Sequence, residues 1–186
     1  MTEFRLGLGS LALDLVATVA DRPGSHRERL QTPGDLDRWL AEAELVGPSP
    51  ASASAGDLAD AQQLREAVWS LVQRSQADRV PRATDRRLVN RWAARDPEVP
   101  QLGGDWAPVA SARHDVGTAL ATVARDAVDL LAGPDRTRIR RCGGCTLLFV
   151  DRSRPGNRRW CSMELCGNRS KAEAFRDRRK LRSTGG

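Results

Sequence analysis

All four cysteines of the 186-residue chain lie within 25 residues of one another, near the C-terminus. Two close pairs separated by a linker of this length are typical of structural zinc sites, in which four thiolates surround one ion. Zn²⁺ is therefore the predicted cofactor, with an iron–sulfur cluster and a thiol redox switch as alternatives. The spacing is C-x2-C-x15-C-x4-C, formed by Cys142, Cys145, Cys161 and Cys166.

The predicted metal is structural, because four protein ligands fill a tetrahedral shell, whereas a catalytic zinc keeps one position for water. His26 and His114 are far from the cysteines in sequence and form no H-E-x-x-H pattern. The sequence also contains no nucleophile–base pair, phosphate-binding loop or cofactor motif. An enzyme is therefore not expected.

The charge of the chain is divided between its two ends. Residues 133–186 carry 15 basic and 5 acidic side chains, a net charge of +10, whereas residues 1–132 have 15 basic and 19 acidic ones, a net charge of −4. Codon usage in a GC-rich bacterial genome explains why nearly all basic residues are arginine, but not why the excess sits at one end. A basic C-terminal module indicates nucleic-acid binding.

The length suits one domain, or a medium domain with a small appendage, and we place the boundary between residues 1–134 and 135–186. No apolar run approaches the roughly 18 residues that span a bilayer, and the first residues lack the pattern of a secretory signal. We therefore expect a cytoplasmic protein with no membrane partner, where cysteines stay reduced.

The first part is predicted to be mainly helical, because its apolar residues recur every three or four positions. Segments 47–56 and 99–110 are predicted loops, the second anchored by Trp106, and residues 4–8 are a weak strand. Asp14, within an apolar run, suggests a buried polar site, although such a residue is more often exposed. The predicted helices begin near Ser10, Asp35, Asp57, Thr84 and Ser111, and the last one, ending at Ala132, has the most regular stripe.

The C-terminal part is predicted to be a β-hairpin followed by a helix, a treble-clef-like arrangement. Residues 146–150 form one strand, residues 151–157 a turn and residues 158–160 the return strand, with a weaker strand at 137–141. Ser162 caps a helix that runs to about Leu181. Phe149 and Trp160 are interpreted as a small core beside the cysteines, and Ala172 and Phe175 as the inward face of the helix.

The sequence Cys166-Gly167-Asn168-Arg169 resembles the signature of the CGNR zinc finger, and segments 140–142, 149–154, 158–163 and 170–172 agree with it. The resemblance covers about residues 138–182. It implies a bacterial stress-induced transcription regulator, whose N-terminal part is the ABATE domain. Residues 13–18 resemble the early motif of that domain, with Ala17 in place of an asparagine, and segments 36–40 and 64–72 are also similar. DNA binding and regulation are what the resemblance implies.

The basic residues of the module divide into three predicted roles on DNA. Asn168 and Arg169 read base edges, or brace the zinc loop and form a local salt bridge instead. Arg152 and Arg154 grip the backbone from the turn, unless they are only solvated. The remaining predicted phosphate contacts are Lys171, Arg176, Arg178, Arg179 and Lys180.

The leading prediction is a DNA-binding transcription regulator. Its expected partners are duplex DNA, a small-molecule effector held by the N-terminal domain, and a second copy of the chain as a homodimer. An RNA-binding or protein-interaction zinc module is the alternative, since charge alone does not distinguish DNA from RNA.

Overall fold

The computed structural model describes residues 4–46, 52–96, 101–104, 108–109 and 115–183. Within those residues the fold is mainly helical, as predicted, and none of the helices combines the length and apolar character needed to cross a bilayer. Three antiparallel two-stranded ribbons complete it: β1–β2 (Val19–Ala20, Arg27–Glu28), β3–β4 (Gln101–Leu102, Pro108–Val109) and β5–β6 (Ile139–Arg141, Leu148–Val150). The helices are α1 (Leu11–Val16), α2 (Pro33–Glu42), α3 (Ala55–Gln76), α4 (Ala83–Ala93), α5 (Val116–Ala132) and α6 (Asn168–Ser183).

Two aspartates predicted to begin helices instead lie in the third helical position. Thr32 caps α2 and exchanges hydrogen bonds with Asp35, and Ser54 caps α3 and exchanges them with Asp57. Each pair is a capping box, so each helix begins two residues before its aspartate. α4 begins at Ala83 without the predicted Thr84 cap.

The last body helix, α5, begins at Val116 with Asp115 as its cap, and the predicted start at Ser111 lies outside the described residues, as do Trp106 and His114. Its apolar stripe is buried as predicted, because it packs against the central helix α1. α1 also contacts α3 and strand β6, and its Leu13 and Leu15 are fully buried. The core therefore forms around a helix of only six residues.

The segment before α1 lies against the hairpin, although it is not the predicted strand. Leu8 O accepts a hydrogen bond of 2.8 Å from Val150 N. Gly9 has φ +93°, and a Cβ atom on it would lie 2.9 Å from Val150 Cβ. Glycine is required here both for the backbone conformation and for the close approach of the two segments.

The hairpin pairs different segments from those predicted. β6 pairs with β5, in the register Ile139 with Val150 and Arg141 with Leu148, whereas residues 158–160 form no strand. Asp151 is fully buried and closes the loop that follows, because its carboxylate accepts hydrogen bonds from Ser153 and Arg158. Those bonds, which hold the pKa of Asp151 below its usual value, turn residues 158–160 away from β6.

One hydrophobic core extends through both parts of the chain. All three residues of β6 are buried, and they belong to the same cluster as the apolar faces of α1, α3 and α5. Burial of side chains of this size stabilises a fold by on the order of 2 kcal/mol each. The boundary near residue 134 stays a prediction, but the C-terminal part shares the core of the body.

Candidate metal centre

The four cysteine sulfurs converge at one point. All four lie within 4.8 Å of one another, and the two shortest described separations are 3.5 Å between Cys145 and Cys161 and 3.7 Å between Cys161 and Cys166. A tetrahedron with metal–sulfur distances of about 2.3 Å has edges of about 3.8 Å, whereas sulfurs in a disulfide are about 2.05 Å apart. The geometry fits a single tetrahedral ion and does not fit disulfides.

The first cysteine pair forms the loop of the β5–β6 hairpin. Cys142 N donates to Leu147 O at 2.8 Å, and Thr146 N donates to Cys142 O at 3.1 Å. The positive φ angle that closes this turn falls on Thr146, at +64°, and not on the two glycines. Gly143 and Gly144 instead leave room for the Trp160 ring, which lies 3.1 Å from where a Cβ atom on Gly143 would be.

The second cysteine pair flanks the start of the last helix. Ser162 accepts a hydrogen bond from Leu165 N, as the predicted cap, and a π-helical turn over Met163–Gly167 presents Cys166 to the cluster. Cys166 N donates to Ser162 O at 3.1 Å. α6 begins directly after this turn, so the metal cluster fixes where the helix starts.

Hydrogen bonding and burial make the four thiols ionise unequally. The hydrogen bond with Cys161 lowers the pKa of Cys145 to about 5, and the same contact raises the pKa of Cys161. Burial raises the pKa of Cys166 to about 11. Cys142 Sγ accepts hydrogen bonds from Cys161 N at 3.3 Å and Gly144 N at 3.5 Å. A divalent cation is what would hold all four as thiolates, and its binding releases protons.

Several arginines near the cysteines support the module itself. Arg158 donates to the backbone oxygens of Trp160 and Cys161 and lies over the Phe149 ring, 5.2 Å from its centroid. Arg141 donates to Gln73 on α3 at 3.0 Å. Phe149 is fully buried and Trp160 half-buried, so both belong to the core beside the cysteines, as interpreted from the sequence.

The residues predicted to contact nucleic acid lie in different settings. Arg152 forms an ion pair with Asp135 at 2.9 Å, so it is partly engaged within the module. The others that the structure describes are exposed and form no ion pair with another described residue; their roles on DNA stay predictions. They are Arg154, Asn168, Arg169, Lys171 and Arg176, while the side chains of Arg178, Arg179 and Lys180 lie outside the described set.

The predicted inward face of α6 is wrong. Ala172 is exposed and Phe175 is 60% exposed. The reason is that α6 contacts chiefly the π turn before it and extends past the hairpin instead of folding over it. α6 therefore presents its described side chains to solvent.

The body contains a pair of buried carboxylates that hold the start of α1. Asp14 accepts hydrogen bonds from Gly7 N at 3.1 Å and Leu8 N at 2.9 Å. Asp126 on α5 accepts from Ser10 Oγ and from Ala12 N. Burial raises the pKa of Asp14 to about 6, against the lowering effect of its backbone hydrogen bonds, and the nearby Asp126 raises it slightly further. The suspected polar site at Asp14 is thus a buried structural one.

A buried arginine that the sequence did not single out joins α3 to the β1–β2 ribbon. Arg65 is 4% exposed and forms a two-pronged ion pair with Glu28, at 2.6 and 2.7 Å. It also donates to Thr18 Oγ1 and to Glu66. Its position beside Leu64 in the apolar stripe of α3 was the available signal, because a charge there must find a partner.

Comparison with known families agrees with this division of the chain. Residues 9–134 match the ABATE family, described as "Putative stress-induced transcription regulator", and residues 138–179 match the CGNR zinc finger. No curated protein matches the chain. With its helical first part and four converging cysteines in the second, the chain belongs to the ABATE family and carries a C-terminal CGNR zinc finger.

Proposed function

We propose that the protein is a DNA-binding transcription regulator in which a structural zinc ion holds α6 as the DNA-contacting helix. Zinc is favoured because four thiolates in a tetrahedron suit it, and the matched zinc-finger family supports the same metal. The proposal includes no catalytic activity, since four cysteine ligands leave no coordination position for water.

The observation that carries the proposal is an exposed cationic helix fixed at one end by the metal cluster. α6 has seven basic and two acidic residues among its 16, and its described side chains do not enter the core. A solvent-exposed helix of this length is marginal alone in water. The major groove of duplex DNA admits such a helix, and phosphates would neutralise its charge.

Protein binding is the second candidate function. Met163, Leu165 and Phe175 are 49%, 42% and 60% exposed, and apolar side chains near one another at a surface favour a protein partner. This candidate gains support if the zinc-loaded chain does not bind duplex DNA even at low salt.

The test is a titration of fluorescently labelled duplex DNA with the zinc-loaded chain at 50 to 200 mM salt, read by anisotropy. Replacing both Lys171 and Arg176 with glutamine should weaken binding about tenfold and flatten the slope of log affinity against log salt by about 1.8, since each phosphate contact contributes about 0.9. The matched control replaces Arg86 and Arg87, which are exposed on α4, with glutamine.

Metal content and a duplex RNA arm make the test selective. Elemental analysis should give one zinc per chain in all three proteins, and duplex RNA should bind more weakly, because its deep major groove does not admit a helix. Equal affinity for both double variants would remove α6 from the contact surface. Stronger binding to RNA would favour the RNA-binding alternative.

A further inference from the structure

A cleft of about 640 Å³ lies between the body and the metal module. One wall comes from the N-terminal segment and the β1–β2 ribbon, and the other from the cysteine knuckle and the start of α6. This volume is in the range of sites that hold small molecules. The residues that matter to its chemistry are Arg5, Asp21, Arg27, Arg29, Cys145 and Arg169.

The cleft is strongly cationic. Four guanidinium groups line it against one carboxylate, and Asp21 already accepts hydrogen bonds of 2.8 Å from Ser25 N and Ser25 Oγ. Arg29 is oriented toward the body by a 3.1 Å hydrogen bond to Ala17 O.

The way other arginines of the body are paired makes this cleft unusual. Half-buried or buried arginines elsewhere have carboxylate partners: Arg22 pairs with Glu66 and Arg65 with Glu28. Arg5 is half-buried and forms no ion pair with any residue that the structure describes, and the same holds for the more exposed Arg27 and Arg169. Cations gathered in a concave site without acidic partners favour an anion there.

We propose that this cleft binds a small molecule through an oxyanion group, either a carboxylate or a phosphate. Guanidinium groups bind both anions through paired, charge-assisted hydrogen bonds. Because the two walls belong to different parts of the chain, such a ligand would join the knuckle and α6 to the β1–β2 ribbon.

The position of Arg169 gives the cleft a regulatory consequence. Arg169 lines the cleft and is also one of the predicted DNA contacts, so a bound anion would compete for it. By linkage, the anion and DNA would then weaken each other's binding by the same factor. This consequence rests on the proposed DNA binding, whereas anion binding itself does not.

The experiment is isothermal titration calorimetry of the zinc-loaded full chain with inorganic phosphate and, separately, with succinate, at constant ionic strength and without DNA. We expect saturable binding of at least one probe at one site per chain. Replacing Arg5 and Arg27 with glutamine should weaken it at least about tenfold, since two charged hydrogen-bond donors are lost. The Arg86→Gln, Arg87→Gln control should bind as the parent does.

Further arms decide between the remaining explanations. If the Arg5 and Arg27 variant fails to fold by circular dichroism, the exposed Arg169→Gln variant provides the same comparison. No saturable binding of either probe, or equal weakening in the control, would overturn the proposal and leave these arginines to balance the charge of the metal centre. If only duplex DNA binding depends on Arg5 and Arg27, the cleft contacts the DNA backbone, and the small-molecule site is refuted.

Discussion

Asp14 should make the stability of the folded chain fall as pH rises from about 4 to 6. Its pKa is raised by burial from 3.8 to about 6 in the folded state, so the native protein binds this proton more tightly than the unfolded chain does. The stabilising contribution is therefore complete below about pH 3.8 and is lost as pH rises through about 6. A difference of 2.2 pKa units corresponds to a total of about 3 kcal/mol.

The measurable part of this effect lies between pH 5 and 7.5. Over that range the two pKa values imply a loss of about 1.4 kcal/mol in the free energy of unfolding. Asp14→Asn removes the ionisation while keeping an oxygen that accepts from Gly7 or Leu8. The difference in stability between the parent and Asp14→Asn should therefore change by about 1.4 kcal/mol from pH 5 to 7.5, in favour of the variant at the higher pH.

The assay is urea unfolding of the zinc-loaded proteins, followed by far-ultraviolet circular dichroism at several pH values. Comparing parent and variant at each pH cancels contributions that both share, including protonation of the cysteines. Asp129→Asn, which removes an exposed carboxylate of α5, is the control and should run parallel to the parent. Parallel curves for Asp14→Asn as well would refute the argument that Asp14 is buried with a raised pKa.

Two further predictions concern the metal module. Chelating the metal, or replacing Cys166 with serine, should destabilise the whole chain by several kcal/mol in a single transition, because β6 lies in the common core; two separate transitions, with the α1–α5 signal unchanged, would contradict this. Thr146→Gly should be about 1 kcal/mol more stable to urea than Thr146→Ala, since both lose the hydroxyl and only glycine adopts φ +64° without strain; equal stabilities would show that the turn is not strained.

Short-range patterns in the sequence predicted the features that depend on residue type and spacing alone. The four cysteines converge because their spacing suits two ligand pairs, and the stripe of α5 is buried because its period is helical. Ser162 caps the last helical segment for the same local reason. These features need no knowledge of which segments meet in space.

The errors arose where a tertiary contact decided between local alternatives. Residues 158–160 have the composition of a strand, but β6 pairs with β5, because the cysteine knuckle serves as the hairpin loop. Ala172 and Phe175 suggested a buried face, yet α6 has no surface to pack on. The cleft arginines were not identified either, since Arg5, Arg27 and Arg169 are far apart in sequence and meet only through the fold.

The position of the knuckle gives the metal centre a role beyond holding one loop. Cys142 and Cys145 lie in the loop that ends at β6, which is buried in the core, while Cys166 immediately precedes α6, which is exposed. A metal ion on these sulfurs therefore connects the body directly to the proposed DNA-contacting helix. The anion cleft opens on the same knuckle, at Gly144 to Leu147. A ligand there could influence α6 only through the metal-held segment or Arg169, so loss of phosphate sensitivity in DNA binding on Arg169→Gln would identify Arg169 as the link.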